Sequence, residues 1–522
     1  MLWLGVGALA PLSGTEFAVG LVASDDEALA RPIGRQQPLD QAAVLDMLRR
    51  AVDLIGGMAA VVPDSASLVV IKPHIVLAMA PETGGVTDPR LVRAAALLVH
   101  EVAPGARILI AEGPEGWIAP DHPGAERAEL SWLMRLFGRP RVDGFALGGY
   151  RAVVEELRGR GVDSACFDLN FDRAQRCYVP GGGWAGEHYD IAATVLAADA
   201  WINCPVAKTH GSKIAGALYN TLGVLPGRLY GWGKNRGTQE HPPIPYEPGL
   251  IDEVLVDLDQ VAGANLNLVD GLVGREGGAF EQGRARRANW ILAGRGGVAT
   301  DLAVARLLGF NPADMEFAEL ARQHGGGPSN WDQVEVRGSA IEAVSQRFAK
   351  AGSAFDFWLW KSPWSQQANY GMGPRHWRLN GPHPLGHRAQ VKLATEWSQR
   401  LFFGHDALDL TPHFGAAEKG VLYASCEFTM ARSDSVRYWL GSDEALSVWI
   451  DGQLIYQHEG RRKHRLGAER LEGYIAAGSH RLLVRVEQTR EDCLFSFNIC
   501  EAVDEAAYAG NSHPGVRFSR PE

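Results

Sequence analysis

Cysteine is scarce in this chain: Cys166, Cys177, Cys204, Cys426, Cys493 and Cys500 are the six in 522 residues, and no two form a C-x-x-C. That spacing argues against a cysteine-ligated zinc site and leaves no iron–sulfur cluster to expect. The cysteines are also too sparse for a disulfide framework, although Cys426 can meet Cys493 or Cys500 across neighbouring strands. Positive charge is in deficit, with 51 Lys and Arg against 61 Asp and Glu for a net charge of -10. A general nucleic-acid binder needs a basic surface to displace counterions, so no nucleic-acid partner is expected, while a local basic pocket stays compatible. No apolar run approaches the ~18 residues of a membrane span. The opening "MLWLGVGALAPLSG" lacks the basic flank of a signal peptide. It reads as a leader or first strand, with a signal-peptide remnant as the alternative, and leaves location open between cytoplasmic and exported.

What is present is the composition of a soluble globular protein, 46% hydrophobic and 21% charged, over a length that suggests two or three domains. "DQAAVLDMLRRAVDLIGG" places Val44, Leu48, Val52 and Ile55 at helical spacing and stops at a glycine pair. "SLVVIKP" is a short continuous apolar run, as in a parallel strand buried on both faces. "TDPRLVRAAALLVHEV" opens a helix with Asp88 as N-cap and Pro89 at its first position, and "ARILIAEG" is a second buried strand. The alternation resumes with "ADAWINCPVA" as strand, "SKIAGALYNTLG" as helix, "LNLVDGLVG" and "NWILAG" as strands, and "VATDLAVARLLG" as helix. The expected fold is therefore α/β, an open, mostly parallel sheet with flanking helices, over residues 1–345.

Residues 346–387, including the tryptophan-rich "FDFWLWKSPW", read as a Trp/Gly/Pro-rich connector that packs between domains. Residues 388–505 read as an all-β sandwich of short, turn-linked strands, with Asp451-Gly452 as a type I′ hairpin turn, and 506–522 as a tail.

Four α/β strands end in groups that can carry charge: Lys72-Pro73-His74, Glu112-Gly113, Lys208-Thr209-His210 and Asp270-Gly271. Ligands of open parallel sheets bind beyond the carboxyl ends of the strands, where loops and helix N-termini converge. The expected site is a cleft that holds a small anionic, carboxylate- or phosphate-bearing substrate. Lys72, Lys208 and the helix after Gly211 would grip the anion, and His74 or His210 would move a proton near neutral pH. Glu112 or Asp270 would orient that base, or join His74 and His210 around a divalent metal, a weaker reading because no H-x-x-x-H spacing supports it. Each group also has an ordinary reading: a lysine after a strand is commonly solvated, Asp-Gly is turn chemistry, and Asp301 falls inside a helix. "GGAFEQG" beside Glu276 fits neither the phosphate-loop nor the dinucleotide fingerprint.

At these positions the chain resembles a bacterial and archaeal group called domain of unknown function 362. The residues that carry the resemblance are "IKPH", "TDPRLVRA", "AEGPEG", "INCPVAKTHGSKIAGALYNTLG", "VDGLVGREGGAFEQG" and "VATDLAVARLLGFNP", in that order over about residues 15–335. The resemblance implies Lys72, Lys208, His210, Asn220, Asp270, Glu276 and Asp301 as recurrent polar positions, with Asn220, Glu276 and Asp301 as substrate-binding candidates. Two departures stand out: His74 replaces the usual Asn, and Tyr219 replaces a Lys. The amino-terminal half also looks distantly like the lactate-racemase type of α/β domain, which implies proton transfer next to a carboxylate. The C-terminal "SDEALSVWIDGQLIYQ…AAGSHRLLVRVEQ" resembles β-sandwich modules of carbohydrate-active enzymes, including protective-antigen-like domains. That resemblance implies a glycan partner through exposed aromatics, with Trp439 and Trp449 either presented or in the core.

The expected function is an enzyme of acid–base or metal-assisted chemistry. The alternative is a non-catalytic ligand- or glycan-binding protein that uses the sandwich. On the first reading Lys208→Ala weakens anion binding and His210→Ala lowers turnover. Neither would unfold the chain, because charged residues at strand tips contribute little to a core.

Overall fold

The computed structural model describes residues 17–25, 39–75, 79–113, 143–210, 213–231, 234, 244–245, 250–278, 283–328, 330–351, 375–388, 397, 399–403, 407–415, 419–489, 493–505 and 508–519. The leader and the "FDFWLWKSPW" cluster lie outside the described residues.

The first unit begins with β1 (Ala18–Ala23) and α1 (Gln41–Asp53), followed by β2 (Leu68–Pro73), α2 (Pro89–Val102) and β3 (Arg107–Glu112). After α3 (Tyr150–Gly159) come β4 (Ser164–Asp168) and a two-stranded hairpin, β5 (Ala174–Tyr178) with β6 (His188–Ala192). Next are β7 (Ala200–Cys204), β8 (Val206–His210), β9 (Lys213–Ala215) and α4 (Ala217–Thr221). The unit continues through α5 (Leu250–Ala262), β10 (Leu266–Glu276), β11 (Arg284–Gly294), α6 (Gly297–Leu307) and β12 (Glu335–Gly338). Its sheet runs β12-β1-β11-β10-β7-β2-β3-β4, with β8 and β9 joined at β10. Pairing is parallel from β10 to β4, and β11 is antiparallel to both β10 and β1. The α/β expectation holds, as a mixed, mostly parallel sheet.

The apolar strand runs behave as sequence physics requires. Val70 and Leu109 pack into the core on one face, and Val69, Ile71, Ile108 and Ile110 into the core on the other, so side-chain alternation feeds two layers. Asp88 caps α2 by accepting from the Arg90 amide at 2.9 Å, with Pro89 in the first turn.

The second unit is a sandwich. One sheet runs β14-β13-β16-β21-β18-β19 and the other β15-β22-β17-β20, all antiparallel. Its strands are β13 (Arg375–His383), β14 (Gln399–Phe403), β15 (Leu408–Asp409), β16 (Gly420–Met430), β17 (Asp434–Ser442), β18 (Ala445–Ile450), β19 (Gln453–His458), β20 (Glu469–Ile475), β21 (Gly478–Gln488), β22 (Leu494–Glu501) and β23 (Val516–Phe518). Asp451 and Gly452 both have positive φ, +51° and +81°, as a type I′ turn demands.

Three expectations are corrected. The sandwich begins before residue 388: β13 lies in the expected connector and pairs with β16, because Trp377 and Leu379 alternate inward despite the Gly and Pro around them. The expected tail supplies β23, also paired with β16. All six cysteines are free thiols, with Cys426, Cys493 and Cys500 buried.

The tail and the end of β22 tie the two units together. Asn311, 5% exposed, donates from Nδ2 to the carbonyls of His513 at 3.1 Å and Val516 at 2.7 Å. Arg517 pairs with Asp332, Arg347 with Glu501 at 2.6 Å, and Arg286 reaches the Tyr508 hydroxyl at 3.0 Å. Asn311→Ala takes this donor from the Val516 carbonyl, while the His513 carbonyl keeps the Val516 amide at 3.0 Å. We expect the substitution to lower the unfolding free energy of the full chain by about 1–3 kcal/mol, measured by urea titration. A loss within ~0.5 kcal/mol, the scale of a neutral surface change, would mean that the tail does not depend on this residue.

Candidate functional site

The central feature is a buried ammonium. Lys72 is the fifth residue of β2, in register with Asn203 of β7, and is 0% exposed. Its Nζ lies 2.8 Å from both carboxylate oxygens of Glu112, at the end of neighbouring β3, and donates to Asn220 Oδ1 at 3.2 Å. Glu112 is itself held by the Ile75 amide at 3.2 Å and the Gly113 amide at 2.8 Å. Burial pushes the Lys72 pKa down, and the Glu112 carboxylate opposes that shift.

The network extends to His74, whose Nδ1 lies 2.7 Å from Asn220 Oδ1 and whose Nε2 meets Lys208 Nζ. Within β8, alternation sends Lys208 and His210 to one side and Thr209 to the other. Thr209 donates to Ala349 O at 2.9 Å, while His210 Nε2 sits 3.2 Å from the Tyr219 hydroxyl. Lys72, His74, Glu112, Tyr219, Asn220 and Lys234 are among the residues that line a small pocket, while Lys208 and His210 stand behind His74 and Tyr219. The Lys234 ammonium donates to Asn170 Oδ1 and to Leu225 O, each at 2.6 Å. The loop that closes over Lys72 and Glu112 contains Gly223, where a Cβ would overlap both charged groups.

The structure therefore brings together Lys72, His74, Glu112, Lys208 and Asn220, with His210 attached through Tyr219. It does not bring Asp270, Glu276 or Asp301 into contact with them. Asp270 is no turn residue: β10 continues past it to Glu276, and its carboxylate accepts from the Asp88 amide at 2.6 Å and the Leu272 amide at 2.8 Å. Glu276 is bound by Arg284, Arg286 and the Ala349 amide. Asp301 accepts from the Ala217 and Leu218 amides at 2.6 and 3.0 Å, so a carboxylate of the chain already occupies the helix N-terminus expected to hold a substrate oxyanion. Burial lifts both Asp270 and Asp301 to about 7.

Further corrections follow. Among the described residues no group of three or more His, Cys, Asp and Glu side chains is placed to hold a metal ion. The set His74, His210, Glu112 and Asp270 is not assembled, since Glu112 is engaged by Lys72 and Asp270 by backbone amides. Lys208 and His210 belong to a buried strand, 1% and 7% exposed, so substitutions there carry a stability cost that a solvated loop would not. Lys213 to Ala215 form a strand, and the following helix is only Ala217–Thr221. Histidine titration near neutral pH is also not what the surroundings favour. Burial, then the Lys208 charge, pushes His74 well below its ordinary value and His210 down to about 3.

Sequence reading missed Lys234 and Asn203. A buried Asn inside the apolar run "WINC" was a visible signal for the second; "GWGKNRG" offered none for the first.

Over the unit that holds this geometry the chain is similar to known proteins. Residues 69–306 match the family model of a domain of unknown function, DUF362. The DUF362 match spans every site residue above and is narrower than the 15–335 expected, leaving β1 and β12 outside. The chain is also 23% identical over 281 residues to the "Thylakoid-associated protein sll1697" of Synechocystis, covering 53% of this chain and 74% of that protein. Among solved structures, it is similar to the PA14 sugar-binding domain from RTX adhesin, at 10% identity and a TM-score of 0.18 over 24% of this chain and 93% of that one. A β-glucosidase from Kluyveromyces marxianus in complex with glucose matches at 11% identity and a TM-score of 0.20, over 25% of this chain and 17% of the β-glucosidase. Likenesses that remote carry no argument about ligands.

His210 gives the site a pH signature. Its folded pKa of about 3 lies below the unfolded ~6.5, so the unfolded state binds the extra proton between those values. The stability from neutral His210 is full above pH ~6.5 and falls as pH drops toward 3. The stability of the native chain minus that of His210→Gln should decline below pH ~6.5, by up to about 1.4 kcal/mol per pH unit. Denaturant unfolding from pH 8 to 4.5 measures it; parallel curves would show that His210 titrates normally.

Proposed function

We propose that this protein is an enzyme acting on a small anionic molecule, carboxylate- or phosphate-bearing, by acid–base chemistry in the pocket over the ends of β2 and β3. One observation carries the reading: two lysines, a carboxylate, a histidine and an amide line one small buried pocket. Burying charge is expensive, and a purely structural role is met more cheaply by apolar packing, so clustered buried charge beside a cavity points to function. Lys234 and Lys72 supply the positive field for an anion, Asn220 supplies a fixed dipole, and Glu112 beside Lys72 is a carboxylate able to exchange a proton.

A glycan partner at the sandwich has no comparable support. Trp439 lies under the Arg470 guanidinium at 4.1 Å and the Lys350 ammonium at 5.8 Å, and Trp449 packs against the cluster of Val421, Tyr423 and Leu483. Among the described residues no helix is long and apolar enough to cross a membrane.

The test is calorimetric titration of the full chain with small carboxylates and inorganic phosphate, beside Lys234→Gln. We expect binding that weakens about 10–100-fold in the variant, the loss of one charge-assisted hydrogen bond. No binding by any of these anions, or equal binding in the variant, would overturn the reading.

A further inference from the structure

The amides around His74 settle which of its ring nitrogens carries the proton. Asn203 Nδ2 lies 2.9 Å from the carbonyl of Ala217, which can only accept, so the Asn203 amide nitrogen faces that carbonyl and its Oδ1 faces away. Asn220 Nδ2 donates to this Oδ1 at 2.7 Å, which turns Asn220 Oδ1 toward His74 and Lys72. Lys72 gives an independent check: an ammonium can only donate, and it reaches the same Oδ1 at 3.2 Å. Two anchors at opposite ends thus fix both amides the same way round. His74 Nδ1 faces an acceptor and must hold the hydrogen; Nε2 faces Lys208 Nζ, a donor, and must present its lone pair.

We infer that His74 is locked as the Nδ1–H tautomer by a one-way ladder, Lys208 to His74 to Asn220 to Asn203 to Ala217 O, in which each member donates to the next. This rests on the proposed function for its consequence, though not for its geometry. Both nitrogens of His74 are committed, so it is a positioning residue that orients the Lys208 ammonium and the Asn220 dipole, and aligned donors along such a chain polarise one another. Proton exchange with a bound anion then falls to the other groups that line the pocket, and we assign it to Glu112, the carboxylate among them, paired with Lys72. The Glu112 carboxylate takes the ligand's proton and becomes a neutral acid. The ligand gains one negative charge, which the adjacent Lys72 ammonium offsets, and the reverse step returns the proton. The charged or titratable groups that act on His74 are Lys208, Lys72 and His210, all of which disfavour the imidazolium.

The test is 15N NMR of the full chain labelled at histidine, with His74 assigned by its loss in His74→Gln. The expected spectrum has a protonated Nδ1 and an unprotonated, hydrogen-bonded Nε2 that do not change from pH 5 to 8. An Nε2–H tautomer, or titration within that range, overturns the ladder. In Asn220→Asp a carboxylate faces Nδ1 and favours the imidazolium, so the Nε2 signal should move toward its protonated position at the acid end of the range, where that of the native chain does not; a signal as unmoved as the native one counts against the contact. If that variant does not fold, Lys208→Met should keep the tautomer while the Nε2 signal moves as its donor is lost, and an unmoved signal contradicts the ladder. These spectra are read without ligand. A confirmed tautomer with no anion binding would leave the ladder standing and remove the proposed function.

Discussion

A positive charge buried at the end of a central parallel strand governs this half of the molecule. Removing an ammonium from water costs several kcal/mol even after the protein relaxes, and only a well-placed counter-charge with further hydrogen bonds offsets it. Lys72 meets that demand because β2 lies between β3 and β7: one neighbour ends in Glu112, and the other carries Asn203 in register with it. Glu112 in turn needs donors, and the amides of Ile75 and Gly113 supply them where the chain leaves β2 and β3. The loop at Leu222 to Val224 can cover this pair only because residue 223 has no side chain. Backbone path, glycine placement and charge pairing are one constraint seen from three sides.

The strand β8 passes that constraint outward. On one side Lys208 meets His74 and His210 meets Tyr219. On the other, Thr209 donates to Ala349 O and accepts from the Gly277 amide at 3.0 Å. Glu276 holds the Ala349 amide at 2.9 Å, and the next residue, Lys350, sits over Trp439 of the sandwich. The polar residues that looked like substrate ligands therefore divide by position. Those on β2 and β3 face the pocket and those on the inner side of β8 back them through His74 and Tyr219, while Glu276 fixes the segment that leads to the second unit and Asp301 caps α4.

How far the sequence could be read depends on how local each determinant is. The continuous runs "SLVVIKP" and "ARILIAEG", the Asp88-Pro89 helix start and the Asp451-Gly452 turn rest on neighbouring residues, and all were legible. Lys72, His74, Glu112 and Lys208 were legible as a group, because titratable groups recur at the ends of successive apolar runs, and Asn220 was named through the family resemblance. What the sequence hid was long-range. Asp270 looked like a strand terminus because Gly271 follows it, but that glycine makes room for the Trp290 ring within a continuing strand. Lys208 was read as a strand-tip group, and nothing nearby in sequence announces its sheet partner at β10 or the imidazole 134 residues away that it meets. The same distance concealed how low burial beside Lys208 drives His210.

The central claim is that the Lys72 network forms the floor of a site for small anions rather than a sealed structural charge cluster. Anomalous diffraction from crystals of the full chain soaked in selenate addresses this most directly. The account predicts a selenium peak in the pocket, with its oxygens within hydrogen-bonding distance of Lys72 or Lys234 Nζ. Selenate bound elsewhere in the crystal, with the pocket occupied only by water, would contradict it.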